Sequence, residues 1–368
     1  MKKNMNNQFM LRALELARKG KTTPNPMVGA VLVKNNRIIA EGFHSRAGGP
    51  HAEVVALKKA GDKARGADLY VNLEPCCHIG RTPPCTDAII KSGVSRVFAG
   101  MKDPNKLVQG KGIRVLKAAG IKVSAGMMKS DCEKLNEAFV KVMKTGVPFV
   151  TVKTAMSLDG KIATREGDSQ WISGVKSRDF VHELRNHNDA ILVGTNTILK
   201  DNPQLTCRLK KKRGRHPVRI ILDRRNRIPL TAKVFTNSKT QRVVYVSCSK
   251  LSTKREKLLA AKNIEVLKVK TLKSGFDLKQ LMKLLAQKDL NSILIEGGGE
   301  INSSALEAGI VDRVLAFISP ILVGGQQAPS PIGGKGVAKI AKAMRLENMK
   351  VIQIGDDIMV EAEPCSAE

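Results

Sequence analysis

The sequence predicts an α/β protein made of two domains, and three observations carry that expectation. Helical patterns alternate along the chain with short β-branched runs such as AVLVKNNRIIAEGF, DLYVNLEP, RVFAGMKD and IKVSAGMM, the pattern of mostly buried strands set between helices. The chain has 368 residues, more than one hydrophobic core usually serves, so two domains of roughly 150 to 220 residues are expected. Thr145-Gly146-Val147-Pro148 follows the helix-like CEKLNEAFVKVMK, and such Gly and Pro punctuation marks a boundary. The domains are therefore expected at 1–146 and 147–368.

The opening MKKNMNNQFMLRALELARKG reads as an amphipathic helix with Phe9, Leu11, Leu14 and Leu16 among its apolar positions. It has no apolar signal core and no small-residue cleavage site, so a cytoplasmic place is expected. A hairpin follows, Ala30 to Val33 and Arg37 to Glu41, turning at Asn35-Asn36, a dipeptide tolerant of left-handed backbone. A helix is expected from about His51 to Ala60, and another from Cys85 or Thr86, carrying Ala88, Ile89 and Ile90, to Gly93. A strand then covers Val97 to Gly100. The second half opens with the strand PFVTVKTAMS, and further apolar runs recur at 190–193, 218–222, 243–246, 293–295 and 314–318. No internal repeat is visible.

Composition narrows the function classes. Hydrophobic residues are 42% of the chain, without a run of about 18, so no membrane span is expected. The formal charge of +30 would attract phosphates through its long-range field. One reading is nucleic-acid binding; the other is a lysine-rich surface on an enzyme with anionic small substrates. Dispersed basic residues and only 3% aromatics leave few stacking platforms for bases, which favours the second. The charge run KKKRG at Lys210 to Gly214 reads as a solvated loop, with a phosphate contact as the alternative. Seven cysteines in a chain expected to meet a reducing compartment point to metal or catalytic use rather than disulfides.

Metal chemistry is written most clearly in GGPHAEVVAL and, further on, NLEPCCHIGRTPPCTDAI. Catalytic zinc takes three His or Cys ligands and keeps a fourth position for water. His51, Cys76 and Cys85 supply that set. Residues two apart on a helix point to different sides, so Glu53 is left beside the metal as a proton shuttle. The order matches the H-x-E then P-C signature of zinc deaminases. It departs from the usual P-C-x-x-C, because Cys76 and Cys85 are separated by a longer loop. A structural zinc closed by Cys77 or His78 is the competing reading; His78 otherwise serves as a neighbour or substrate contact. A rival of another class is a transfer-RNA-type deaminase, which would suit the charge but leave the second domain without a role.

TPNPMVGAVLV at 23–33, PHAE, and above all EPCCHIGRTPPC closely resemble the bifunctional deaminase–reductase family of riboflavin biosynthesis, whose own form of the motif has the long loop. DPN at 103–105, GKGIRVLKAAGI and LNEAF extend the resemblance over the first domain. KTAMSLDGKIAT, SQWIS, DAILVGTNTILKDNPQLTCR and ILIEGGGEI extend it over the second. The resemblance implies a three-layer αβα, cytidine-deaminase-like domain and a dihydrofolate-reductase-like α/β domain. It implies Zn2+ and NADPH as cofactors, and a phosphorylated pyrimidine as substrate, deaminated and then reduced at its ribosyl group. A homo-oligomer is possible; no membrane or nucleic-acid partner is implied.

Carried over motif by motif, the resemblance makes Asn25 and His44 pyrimidine-pocket residues, His44 having a structural alternative. Ser169, Arg185, Leu205, Arg208 and Glu296 match substrate contacts, the arginines suiting a 5′-phosphate that wants forked donors. Ala155, Trp171, Thr197 and Asp201 match cofactor-side positions, with a core anchor as the other reading of Trp171. Gly298 and Gly299 let backbone amides approach a pyrophosphate at a helix start. Arg224 suits the 2′-phosphate of NADPH, and Asp159 in SLDG is expected to brace its turn.

Overall fold

The Asn35-Asn36 turn shows how local chemistry becomes geometry. Both residues are left-handed, φ 50° and 60°, as a two-residue hairpin turn demands. They join strand β1 (Gly29–Lys34) to β2 (Arg37–Phe43). The computed structural model describes residues 2–78, 83–106, 108–210, 214–248, 250–272 and 275–365, with the backbone alone for 2–5. It divides into two compact units, Met1–Gly146 and Val147–Glu368.

In the first unit, helix α1 (Lys2–Ala17) precedes the hairpin, and α2 (Ala52–Ala60), β3 (Asp68–Leu73), α3 (Cys85–Ser92), β4 (Arg96–Met101), α4 (Lys111–Ala118), β5 (Lys122–Ala125), α5 (Lys129–Leu135) and α6 (Glu137–Thr145) follow. The sheet runs β2-β1-β3-β4-β5, antiparallel at β1 and parallel from β3 to β5. Gly29 pairs with Phe43 and Ala30 with Gly42, so the two glycines lie on opposite faces. A Cβ on Gly29 would strike the Ala13 carbonyl of α1, and one on Gly42 the Ala52 carbonyl of α2. Helices therefore press on both faces, which makes three layers. Phe9, Leu14 and Leu16 are buried, but Leu11 is 46% exposed; it sits about 200° around α1 from Phe9, facing away from the sheet.

The second unit contains β6 (Phe149–Ser157), α7 (Val175–His187), β7 (Ala190–Gly194), α8 (Thr195–Asp201), β8 (Val218–Leu222), β9 (Val243–Ser247), α9 (Thr253–Ala261), β10 (Glu265–Lys268), the small pair β11 (Thr271–Leu272) and β12 (Gly275–Phe276), α10 (Leu278–Ala286), β13 (Ser292–Ile295), α11 (Gly299–Glu307), β14 (Arg313–Ser319), β15 (Leu346–Ile354) and β16 (Asp357–Pro364). One sheet of nine strands runs β10-β9-β8-β7-β13-β6-β14-β16-β15. It is parallel from β10 to β14 and antiparallel at β16 and β15. The predicted apolar runs are β7, β8, β9, β13 and β14. They read as continuous because alternate residues feed separate cores: Ala190 and Leu192 enter one cluster, Ile191 and Val193 another. The β15–β16 hairpin lies beyond the predicted strands; β15 has little buried surface to mark it.

Among the described residues no helix is long and apolar enough to cross a membrane. Of the charge run at 210–214, residues 211–213 lie outside the described residues, as do 79–82 of the loop between Cys76 and Cys85.

Candidate active sites

His51 occupies the N-cap of α2 in extended backbone, φ −72° and ψ 158°. Cys76 lies in the loop leaving β3 and Cys85 is the first residue of α3. His51 Nδ1 is 3.1 Å from Cys85 Sγ and 3.5 Å from Cys76 Sγ, and the three ligand atoms lie within 4.8 Å of one another. This nitrogen and two sulfurs form the donor set that zinc favours. Cys77 and His78 stand outside the cluster, so among the described residues nothing makes it a closed four-ligand site. The Cys76 thiol is lowered chiefly by its hydrogen bond with Cys85, while the same bond and burial push Cys85 up. Glu53 is buried in the first turn of α2, and that burial raises its carboxyl above the usual range.

The cluster opens into a cavity of about 350 Å3 whose walls include Asn25, His44, Glu53, Glu74, Asp103 and Phe139. His44 Nδ1 lies 3.0 Å from the Pro50 carbonyl and its Nε2 lies 3.1 Å from Asn25 Nδ2. A carbonyl only accepts, so Nδ1 carries the proton and Nε2 accepts from Asn25. Burial lowers the His44 pKa, in keeping with a neutral ring. The Asn25 amide is thereby oriented with Oδ1 as its remaining acceptor. His44 is thus both structural and part of the wall.

Glu74 and Asp103 received no role from the sequence. Glu74 Oε2 accepts the amides of Gly110 at 2.9 Å and Asp103 at 3.2 Å, and Oε1 that of Ile113 at 3.2 Å. It ties the segment leading to Cys76 to the Asp103 loop and to the start of α4. Burial pushes the Asp103 carboxyl up to about 6, and its Oδ1 accepts the Asn105 amide at 2.8 Å. The only available signal was their place in the EPC and DPN runs; neither run states which cavity its side chains reach.

In the second unit two cavities open beyond the carboxyl ends of parallel strands, where open α/β sheets place ligands. The smaller, about 310 Å3, is lined by Ala155, Trp171, Arg185, Arg208 and Glu296. The larger, about 850 Å3, is lined by Arg224 and Gly299. Ser169, Thr197, Asp201 and Gly298 border both, so the volumes adjoin. The Leu205 side chain is instead buried in the apolar cluster with Ile191 and Phe235, its backbone left-handed at φ 54°. Trp171 is 68% exposed, with the Arg178 guanidinium 4.6 Å from its ring centroid, which corrects the core-anchor reading.

Arg185 does not present its fork to the cavity. Nε and Nη2 engage Glu296 at 2.7 and 2.8 Å, and Nη1 donates to the Thr206 carbonyl at 3.1 Å. Lys153 and His182 join this wall without having been marked in the sequence. Burial lowers the Lys153 ammonium despite nearby Glu296. His182 Nδ1 accepts the Arg208 amide at 3.3 Å. Asp159 does brace its turn: it takes the Ser157 hydroxyl at 2.6 Å and reaches the amides of Val323 and Gly324 at 3.0 and 2.7 Å.

Two family models match. One described as the RibD C-terminal domain covers residues 148–360, and one described as the cytidine and deoxycytidylate deaminase zinc-binding region covers 3–101. A riboflavin biosynthesis protein RibD from Actinobacillus pleuropneumoniae is 43% identical over 355 residues, 96% of this chain and 94% of the relative. The chain belongs to the RibD family. Two solved RibD-type structures agree over 99% of this chain and 100% of theirs. That of Acinetobacter baumannii RibD is 38% identical with a TM-score of 0.90. That of a diaminohydroxyphosphoribosylaminopyrimidine deaminase/5-amino-6-(5-phosphoribosylamino)uracil reductase from Thermotoga maritima is 40% identical with a TM-score of 0.87. As a RibD-family chain this is a bifunctional deaminase and reductase of riboflavin biosynthesis, its first domain cytidine-deaminase-like and its second dihydrofolate-reductase-like. The RibD C-terminal match gives the second unit the role that the transfer-RNA-type alternative denied it.

Proposed function

We propose that residues 1–146 deaminate 2,5-diamino-6-ribosylamino-4(3H)-pyrimidinone 5′-phosphate with zinc, and that residues 147–368 reduce the ribosyl group of the product to ribityl with NADPH. The observation that carries this is the convergence of His51, Cys76 and Cys85 beside the buried Glu53 at a cavity of about 350 Å3. Zinc, when bound by these three, supplies the Lewis acidity that makes a water nucleophilic near neutral pH. Beside a metal held there, Glu53 would carry a proton from the attacking water to the departing amino group. Asn25, oriented by His44, offers Oδ1 to a ring N–H, and Asp103 offers a second polar contact from the opposite segment.

NADPH, when bound, supplies the hydride, and the protein orients it against the sugar. The larger cavity suits the dinucleotide, with Gly298 and Gly299 near its pyrophosphate, Arg224 at the 2′-phosphate, and Ala155, Trp171, Thr197 and Asp201 toward the nicotinamide. Ser169, Arg208 and Glu296 receive the substrate. Because Arg185 is engaged by Glu296, its part is to hold that carboxylate, and the exposed Arg208 meets the 5′-phosphate. Leu205 contributes through its backbone. The test supplies the diaminopyrimidinone ribosyl phosphate and follows ammonia release and NADPH oxidation separately. Both signals are expected; absence of both sinks the reading.

The chain also self-associates, in our reading, through β15. This edge strand leaves Leu346, Met349, Val351 and Ile352 exposed, and an edge whose partner is its own copy closes by two-fold symmetry. Thiolate ligands call for a reducing, cytoplasmic setting, and the +30 charge serves phosphorylated small molecules rather than nucleic acid.

A further inference from the structure

Arg224, Arg225 and Arg227 crowd the turn after β8, all three exposed and all lining the larger cavity of the reductase unit. Like charges at that spacing repel, so bringing them to one wall requires the turn to be held from behind. Asp223, with no exposed surface, does this. Its Oδ1 accepts the Arg227 amide at 3.0 Å and its Oδ2 the Ile228 amide at 2.8 Å. Tyr245, buried on β9, donates its hydroxyl to the same Oδ2 at 2.8 Å. The Tyr245 oxygen accepts from Arg255 Nη2 at 3.1 Å, and Arg255 also bonds the Ile228 carbonyl at 2.7 Å.

Asn226, left-handed at φ 55°, is held at its Oδ1 by the Ser247 hydroxyl at 3.0 Å and by the Tyr245 hydroxyl, shared with Asp223, at 3.1 Å. The Asp223 carboxylate thus faces two backbone amides, the hydroxyls of Tyr245 and Thr195, and the Arg255 guanidinium 3.8 Å away. The arginine side chains meanwhile face the cavity. Arg227 is engaged there: its Nη2 donates to Asn196 Oδ1 at 3.1 Å, and Asn196 Nδ2 donates to Glu300 of α11 at 3.1 Å. Arg224 and Arg225 stand beside Arg227 on the same wall, where forked guanidinium groups suit a phosphate.

We propose that Tyr245 is a positioning residue for cofactor choice, holding the arginine turn through Asp223 so that Arg224 and Arg225 meet the phosphate that distinguishes NADPH from NADH. The inference rests on the larger cavity being the dinucleotide site. Nothing in the turn's own sequence would select this geometry, because the carboxylate is oriented by a hydroxyl from the next strand and a guanidinium from the helix after it.

Tyr245→Phe keeps the ring against Phe235 and under Arg255, whose contacts are 6.3 and 5.4 Å between centres, and removes only the hydroxyl. Binding of NADP+, NAD+ and adenosine 2′,5′-bisphosphate to the full chain is measured by calorimetry. The variant is expected to bind NADP+ and the bisphosphate about tenfold more weakly, with NAD+ changed less than about twofold. Equal weakening of all three ligands, or no change in any, overturns the proposal. Arg224→Ala combined with Arg225→Ala tests the underlying site: if the preference for NADP+ over NAD+ survives it, the dinucleotide is not read here at all. Loss of preference in the arginine variant without loss in Tyr245→Phe overturns the positioning role alone. Should Tyr245→Phe fail to fold, Asn226→Gly keeps the left-handed residue, frees the turn from both Ser247 and the Tyr245 hydroxyl, and is judged by the same ligand comparison.

Discussion

Arg185 and Glu296 meet as a two-point ion pair, Nε to Oε1 at 2.7 Å and Nη2 to Oε2 at 2.8 Å, with side chains only 14% and 9% exposed. A pair this enclosed is held by fit as much as by charge. Arg185→Lys keeps the charge and loses the fork. It should lower stability by about 1–3 kcal/mol and reduce the kcat/KM of NADPH oxidation while ammonia release stays near that of the parent. Thermal unfolding and the two separate assays check this; an unchanged reductase would show that the pair does not organise the cavity.

Glu53 is buried next to the candidate metal ligands but is not one of them. Glu53→Gln should cut ammonia release by about 10^2 to 10^4 and retain stoichiometric zinc by metal analysis. NADPH oxidation with the already deaminated substrate should persist. Near-normal ammonia release by the zinc-loaded variant would remove Glu53 from the proton path.

Gly112 lies in α4 where a Cβ would strike the Pro75 carbonyl, one residue before Cys76. Gly112→Ala must push that loop or tilt the helix, because the obstruction is backbone. A melting temperature lower by several degrees, on the order of 1–3 kcal/mol, should accompany weaker zinc retention under a chelator. Retention equal to the parent's would mean the loop yields without moving the ligand.

Asp159 is held down to about 2 by the Ser157 hydroxyl first, then by the amides of Val323 and Gly324. Its folded pKa is depressed, so its contribution is present above the ordinary carboxylate value of about 4 and fades as pH falls through about 2. The melting-temperature gap between the parent and Asp159→Asn should be constant from pH 5 to 8 and shrink below pH 4. A gap independent of pH down to 2 would count against the charge as its source.

The exposed apolar side chains of β15 predict association. Val351→Glu places a charge on that edge and should convert an oligomer to monomer in sedimentation analysis without loss of secondary structure. A parent chain already monomeric at micromolar concentration would dispose of the self-association reading.

Much of the fold was legible because it is encoded over short spans. The Asn35-Asn36 turn, the ends of α2 and α3, and the runs that became β7, β8, β9, β13 and β14 are set by turn chemistry and continuous apolar stretches. The candidate metal ligands were legible for a related reason: His51 and Glu53 are two apart at a helix start, and Cys76 and Cys85 bound one loop. The outward face of Leu11 escaped the reading because the buried arc of its helix, which holds Phe9, Met10, Ala13, Leu14, Leu16 and Ala17, leaves that apolar side chain on the far side.

What the sequence by itself determined, then, is the inventory: strands, helix starts, a nitrogen and two sulfurs as candidate metal ligands, and a carboxylate beside them. Only the tertiary structure decided how distant groups are used. Glu296 follows β13 and Arg185 lies on α7, 111 positions apart, yet they pair; Leu205 is drawn into a core while its neighbour Arg208 faces the cavity; Glu74 binds the amides of a segment beyond the next strand. Such partners are chosen by strand order and by the need to satisfy buried polar groups, and neither quantity has a local period along the chain.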